Sequence, residues 1–282
     1  MGSPSTSLPT PTTEAGRAGL AAFLADPRRA VVALDFDGTL APIVPDPDSA
    51  RAHPAAAALL TRLARALGSA VIVTGRPAEV AVRLGGFAQE GGEQRFTVLG
   101  HYGAERWDAA TGRVTAPPPD PGVAAVRRAL PDLLAAESAA QGATVEDKGR
   151  SVAVHTRRAA DPQGAYEALR GPLGDLASRH GLLVEPGRLV LELRPQGMDK
   201  GMALTSYLHE VGAGSVLYAG DDLGDLAAFD AVNRLRAEGL GGVLVCSGST
   251  EVTALAERAD LVVDGPDGVV GLLTAVAEAV GA

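Results

Sequence analysis

The chain contains a single cysteine, Cys246, among 282 residues. That excludes a disulfide framework and any thiolate metal cluster. Cys246 follows the apolar run Val243-Leu244-Val245 and reads as a small buried hydrophobe. Basic residues are in deficit too, with 25 Lys and Arg against 34 Asp and Glu and a net charge of −9. Such a chain lacks the positive face that sequence-independent nucleic-acid binding requires, and it offers no patch for an anionic membrane. No apolar stretch reaches the roughly 18 residues of a membrane span. The first residues are rich in Ser, Pro and Thr rather than basic and then apolar, unlike a signal peptide. Residues 1–13 are expected to be a flexible tail, and the protein soluble and cytoplasmic. Familiar motifs are missing as well. There is no Gly-rich phosphate loop ending in Gly-Lys-Ser/Thr, no dinucleotide fingerprint after a strand and no Gly-x-Ser-x-Gly elbow. His209-Glu210 has no second His at zinc-binding spacing, so His209 reads as a helix-surface residue.

What is present is an alternation of short apolar runs with longer helical patterns. Ala30–Leu34, Ala70–Val73, Val216–Ala219 and Val243–Cys246 read as buried strands. Leu59, Leu60, Leu63 and Leu67 recur at helical spacing after Pro54, and Val269, Leu272, Leu273, Val276 and Val280 stripe a final helix. Strands alternating with helices predict a Rossmann-like parallel sheet covered on both faces. Between Tyr102 and Leu193 the strands come in pairs instead: Glu105–Trp107 with Arg113–Thr115, Thr144–Glu146 with Val152–His155, and Leu182–Val184 with Leu189–Leu193 about a Pro186-Gly187 turn. Helical stretches near 122–139 and 163–180 separate them. The expected architecture is an α/β core, residues 14–103 and 196–282, with an α+β domain inserted at 104–195.

Three apolar strands end in polar groups: Asp35-Phe36-Asp37-Gly38-Thr39, Thr74-Gly75-Arg76, and Gly220-Asp221-Asp222-Leu223-Gly224-Asp225. Ligands of open parallel sheets bind at the carboxyl ends of the strands, so these clusters should converge on one crevice. Residues two apart on an extended chain point the same way. Asp35 and Asp37 would therefore face the crevice together, with Phe36 turned into the core. Carboxylates crowded in this way repel one another unless a cation joins them, and hard oxygen ligands favour magnesium. A phosphate would complete the shell, held by Thr74 and backbone amides at a helix start, with Lys200 at the head of another helix to neutralise it.

Taken together, Asp35-Phe36-Asp37-Gly38-Thr39-Leu40, Thr74, Lys200 and Gly220–Asp225 resemble the haloacid dehalogenase superfamily of phosphatases. The 126 positions from Thr74 to Lys200 leave room for the cap domain that these enzymes carry. Within the superfamily the chain is similar to the trehalose-6-phosphate phosphatases through Gly100–Glu105, through Glu146-Asp147-Lys148 with Ser151, His155 and Arg157, and through Glu185-Pro186-Gly187 leading to Glu192. The resemblance implies Asp35 as nucleophile, Asp37 as general acid and base, and Lys200 and Thr74 as phosphate partners. It implies magnesium held by Asp35, the Asp37 carbonyl and Asp221, with Asp222 and Asp225 behind them. Gly75, Arg76, Glu146, Lys148, His155, Arg157 and Glu192 are the expected substrate contacts. Tyr102 stands where many members have His, Gly224 where many have Thr, and Ala227 in a stretch often more acidic; these departures bear on substrate preference more than on catalysis. The implied activity is release of phosphate from trehalose 6-phosphate by a monomer working beside a trehalose-6-phosphate synthase. Phosphatases of sucrose phosphate or glucosylglycerate phosphate, or a non-catalytic partner of the synthase, are the other readings left open.

Overall fold

Ala30–Leu34 is an unbroken run of Ala, Val and Leu, and all five residues are buried. A strand of this kind needs cover on both faces. The computed structural model of the chain places it inside an eight-stranded sheet. The structure describes residues 8–90, 95–248 and 253–282. Its strands, numbered along the chain, are β1 (Ala30–Leu34), β2 (Ser69–Val73), β3 (Phe96–Gly100), β4 (Glu105–Asp108), β5 (Arg113–Thr115), β6 (Thr144–Asp147), β7 (Val152–His155), β8 (Leu182–Gly187), β9 (Val190–Pro195), β10 (Ser215–Gly220), β11 (Gly241–Gly248) and β12 (Leu261–Asp264). The helices are α1 (Glu14–Ala25), α2 (Ala56–Ala66), α3 (Ala78–Gly85), α4 (Pro121–Ala136), α5 (Pro162–Arg179), α6 (Lys200–Glu210), α7 (Leu226–Ala237), α8 (Thr253–Ala256) and α9 (Gly265–Ala279). Among the described residues no helix is long and apolar enough to cross a membrane.

The chain forms two compact units. One runs to Ala116 and resumes at Asp199 through Ala282; the other is Pro117–Met198. In the larger unit the strand order is β12-β11-β10-β1-β2-β3-β4-β5. The strands from β12 to β3 are parallel to their neighbours, and β4 and β5 are antiparallel. From β1 the chain winds outward through β2 and β3, then returns to wind the other way through β10, β11 and β12. The order therefore reverses between β1 and β10, which is where open α/β sheets bind ligands. Alternate residues of β1 serve opposite cores. Val32 and Leu34 pack with Phe23, Leu60, Leu63 and Leu273 on one face. Val31 and Ala33 pack with Leu204, Leu208, Phe229 and Val232 on the other.

The smaller unit is a four-stranded antiparallel sheet, order β6-β7-β9-β8. Here alternation separates core from surface. Val152, Val154, Leu191 and Leu193 face α4 and α5, meeting Val126, Leu130, Leu169 and Leu173. The residues between them form a polar face.

Three sequence expectations need correction. The Glu105–Thr115 hairpin, expected in the inserted domain, belongs to the large sheet. β4 pairs with β3, and Trp107 is buried edge-on against Phe96 at 6.0 Å, continuing a ring contact from Phe87. Burying that indole fixes the hairpin there, so the smaller unit starts at Pro117 rather than at 104 and ends at Met198 rather than at 195. Residues 8–13 are not a loose tail: Leu8 packs on the core, Thr12 N–H donates to the Asp260 carbonyl at 2.8 Å, and Thr13 caps α1. Residues 1–7 of the expected tail lie outside the described residues. The turn expected at Pro186-Gly187 falls instead at Arg188-Leu189, with Leu189 at φ 56°. Pro186 fits within β8 because β8 is an edge strand, where a missing N–H costs no ladder bond.

Candidate active site

β1 ends at Leu34, and Asp35 extends it by one more rung, its N–H donating to the Ala219 carbonyl of β10 at 2.9 Å. Phe36 is fully buried and meets the Phe87 ring edge-on at 6.4 Å. The chain then turns sharply through Gly38 at φ 73°. A Cβ on Gly38 would lie 2.0 Å from an oxygen of Asp221, so only glycine lets the two loops approach this closely. Ser247, near the end of β11, fixes the turn by donating its hydroxyl to the Gly38 carbonyl at 2.7 Å.

Asp35, Asp221 and Asp225 are buried and bring carboxylate oxygens within 4.8 Å of one another. Lys200, the first residue of α6, extends its Nζ to 2.8 Å from Asp35 and 2.8 Å from Asp225. Asp225 is saturated by donors: one oxygen accepts from Lys200 and from the Tyr218 hydroxyl, the other from the backbone N–H groups of Asp221 and Asp222. Asp222 is exposed and caps the short turn Leu223–Asp225, accepting from Gly224 N–H. Burial drives the Asp35 carboxyl well above the ordinary range; Lys200 opposes this, while Asp225 and Asp221 add to it. Asp221 is pushed up to about 8 by burial and then by Asp222 and Asp225. Burial works against the Lys200 charge, but Asp225 and Asp35 outweigh it and hold the ammonium protonated. An all-oxygen set of buried acids that resists ionisation on its own is one that a hard divalent cation would stabilise, so the donor set fits magnesium.

After β2 the chain runs through Thr74, Gly75 and Arg76. Thr74 is buried and its Oγ1 accepts from Arg76 N–H at 3.1 Å. The loop is clasped from below by His101 and Tyr102, whose N–H groups donate to the carbonyls of Arg76 and Thr74 at 2.9 and 3.0 Å. Both clasping residues are left-handed, at φ 47° and 55°, a conformation costing roughly 1–2 kcal/mol per residue outside glycine. The Tyr102 ring lies against Gly75, where a Cβ would come within 2.7 Å of its hydroxyl. Arg76 forms a bidentate pair with Asp37, both contacts at 2.6 Å.

In the smaller unit, Glu146 of β6, Ala153 of β7, Glu192 of β9 and Glu185 of β8 stand opposite one another in register. One row thus carries three carboxylates on the polar face. Glu192 is buried and accepts from Lys148 Nζ at 2.8 Å and from the Ser151 hydroxyl at 2.5 Å. Glu146 pairs with His155 at 2.8 Å, and Arg194 with Glu185 at 2.6 Å. Arg157 lies exposed in the turn after β7, outside these contacts.

Sequence reading singled out neither Tyr218 nor Ser247. Each is a hydroxyl inside an apolar strand, and its partner is set only when distant segments meet. Arg194 is legible only as alternation on a paired strand, and its place beside Glu185 depends on where the turn between β8 and β9 falls.

Residues 33–262 match the family model of trehalose-phosphatase. A probable trehalose-phosphate phosphatase of Sinorhizobium fredii is 35% identical over 212 residues, covering 72% of this chain and 73% of that protein. A trehalose-phosphate phosphatase of Mycolicibacterium paratuberculosis is 37% identical over 223 residues, 76% of this chain. This chain spans about half of that longer relative, 54% of its length. The fold matches the C-terminal domain of the C. albicans trehalose-6-phosphate phosphatase with a TM-score of 0.73 at 21% identity, over 96% of this chain and 99% of that one. With most of its length, and all of the acidic strand ends just described, inside the matched range, the chain belongs to the trehalose-phosphatase family.

Proposed function

We propose that the chain hydrolyses trehalose 6-phosphate to trehalose and phosphate through an aspartyl-phosphate on Asp35. The observation that carries this reading is the buried meeting of Asp35, Lys200, Asp221 and Asp225 at the point where the strand order reverses. Asp35 attacks phosphorus, and splitting one displacement into two lowers each barrier. Asp37 gives a proton to the departing sugar oxygen and later takes one from the attacking water. Lys200, fixed by Asp225, offers its charge to the phosphoryl oxygens, and Thr74 and the Gly75 amide supply further donors. Asp35, the Asp37 carbonyl and Asp221 would hold magnesium, with Asp222 and Asp225 supporting them. Magnesium, when bound, neutralises the acids and draws charge from the transferring group.

The sugar is read by the polar face of the smaller unit. Carboxylates accept hydrogen bonds from hydroxyls and a lysine donates to sugar oxygens. Glu146, Lys148 and Glu192 provide that pattern, with His155 orienting Glu146 and Arg157 close in sequence. The reading extends to a cytoplasmic monomer supplied by a trehalose-6-phosphate synthase.

The test is a phosphate-release screen across trehalose, sucrose, glucose and glucosylglycerate phosphates, with magnesium or with chelator, and with Asp35→Asn as control. Preference for trehalose 6-phosphate that needs magnesium and vanishes in Asp35→Asn supports the reading. Preference for another phosphate corrects the substrate. Turnover that persists in Asp35→Asn removes Asp35 as nucleophile.

A further inference from the structure

Three of the five N–H groups of the Arg76 guanidinium are engaged within the protein, one from each nitrogen. Its Nε donates to one oxygen of Asp37 and its Nη2 to the other, both at 2.6 Å. Its Nη1 donates to the Pro47 carbonyl at 3.0 Å. Its plane stands over the Phe36 ring, Cζ 5.7 Å from the centroid. The Arg76 backbone is pinned in turn, by Thr74 Oγ1 on its N–H and by His101 N–H on its carbonyl. Asp37 is a third exposed, and among the described residues its carboxylate is held by this one fork. The bidentate fork fixes carboxylate direction as well as distance, which a point charge does not do.

We propose that Arg76 is the positioning residue for Asp37 rather than a ligand of the substrate phosphate. The proposal rests on the acid–base reading of Asp37 given above. In the first half-reaction the Asp35 oxygen–phosphorus bond forms, the phosphorus–sugar oxygen bond breaks and the Asp37 proton passes to the sugar oxygen. In the second, the water oxygen–phosphorus bond forms, the acyl-phosphate bond breaks and a water proton returns to Asp37. Both transfers require the carboxyl group within hydrogen-bonding reach of an oxygen at a set angle. Arg76 sets that angle from the β2 loop. Its removal therefore hurts the steps that move a proton and spares a step that moves none.

Leaving-group chemistry separates the two cases. Nitrophenolate departs without a proton, whereas a sugar alkoxide does not. The experiment is rapid mixing with magnesium of wild type, Arg76→Ala, Arg76→Lys and Asp37→Asn against trehalose 6-phosphate and p-nitrophenyl phosphate, following release of the leaving group in the first turnover. Arg76→Ala is expected to slow first-turnover release from the sugar phosphate about 10- to 100-fold with KM nearly unchanged. Its first release of nitrophenolate stays near the wild-type rate. A burst of one nitrophenolate per site then follows, because the second half-reaction is slowed. Arg76→Lys, which keeps the charge but loses the fork, falls between. Equal losses on both substrates with a raised KM would make Arg76 a phosphate ligand and overturn the proposal. If Asp37→Asn shows leaving-group selectivity and neither Arg76 variant does, the proposal alone fails. If Asp37→Asn shows none, the acid–base reading fails and takes the proposal with it.

Discussion

Tyr218 donates its hydroxyl to Asp225 across 2.6 Å, and both residues are completely buried. The same Asp225 oxygen receives Lys200, so the tyrosine helps set where the ammonium stands beside Asp35. Tyr218→Phe keeps the ring and its edge contact with Phe229 while deleting one of the four donors to Asp225. Loss of about 1–2 kcal/mol in urea unfolding is expected. Because Lys200 loses an anchor for its acceptor rather than a contact with sugar, kcat should fall several-fold with KM little changed. An unaltered kcat would show that Lys200 is placed without the tyrosine.

Stability in the absence of cations should fall as pH rises. Asp35 and Asp221 are raised when folded, Asp221 to about 8, against about 3.9 in an unfolded chain. Between these values the folded state binds more protons than the unfolded one. The stabilisation from these two groups is therefore complete below the unfolded value and lost as pH climbs through the folded one. In chelator, the thermal midpoint traced from pH 6 to pH 8.5 should decline from this source. Protons and the cation compete for the same oxygens, so the gain from added magnesium should be larger at the upper end. A gain independent of pH would place the cation elsewhere.

Asp221→Asn tests the same electrostatics by substitution. Removing one of three crowded acids relieves repulsion within the buried cluster and takes away an oxygen donor of full charge. The variant is expected to be more heat-stable than wild type in chelator, to gain little from magnesium and to lose phosphatase activity. Lower stability in chelator would mean that the Asp221 carboxylate is already compensated within the protein.

On the smaller unit, Glu192→Gln preserves an acceptor for Lys148 and Ser151 while removing the charge, and Glu146→Ala removes an exposed carboxylate from the same row. Both should raise KM for trehalose 6-phosphate, by about tenfold for a charged hydrogen bond. Hydrolysis of p-nitrophenyl phosphate should be spared. Equal loss on the two substrates would refute a sugar-reading role.

The acidic strand ends were legible because each follows an apolar run whose burial is dictated locally. Ala30–Leu34 and Val216–Ala219 can only be inner strands, so Asp35 and Asp221 had to emerge at one edge. β3 and β12 were not anticipated. Phe96–Gly100 and Leu261–Asp264 are short, and what makes them strands is pairing with β2 and β11 rather than their own pattern. The hairpin at Glu105 was recognised, but its sheet was not, since Trp107 marks a buried face without naming the partner that buries it. The Asp37–Arg76 pair lies 39 positions apart, beyond any local spacing rule, and so Arg76 read as a substrate contact.

The antiparallel sheet of the smaller unit divides its labour by parity. Odd and even positions along β7 and β9 answer to different demands, one set packing on Leu169 and Leu173 and the other building the polar row. Replacements at Glu146, Ser151, Glu185, Glu192 or Arg194 alter the polar row while Val152, Val154, Leu191 and Leu193 go on holding the helices. Such a surface can change its chemistry by single substitutions, without passing through an unfolded ancestor.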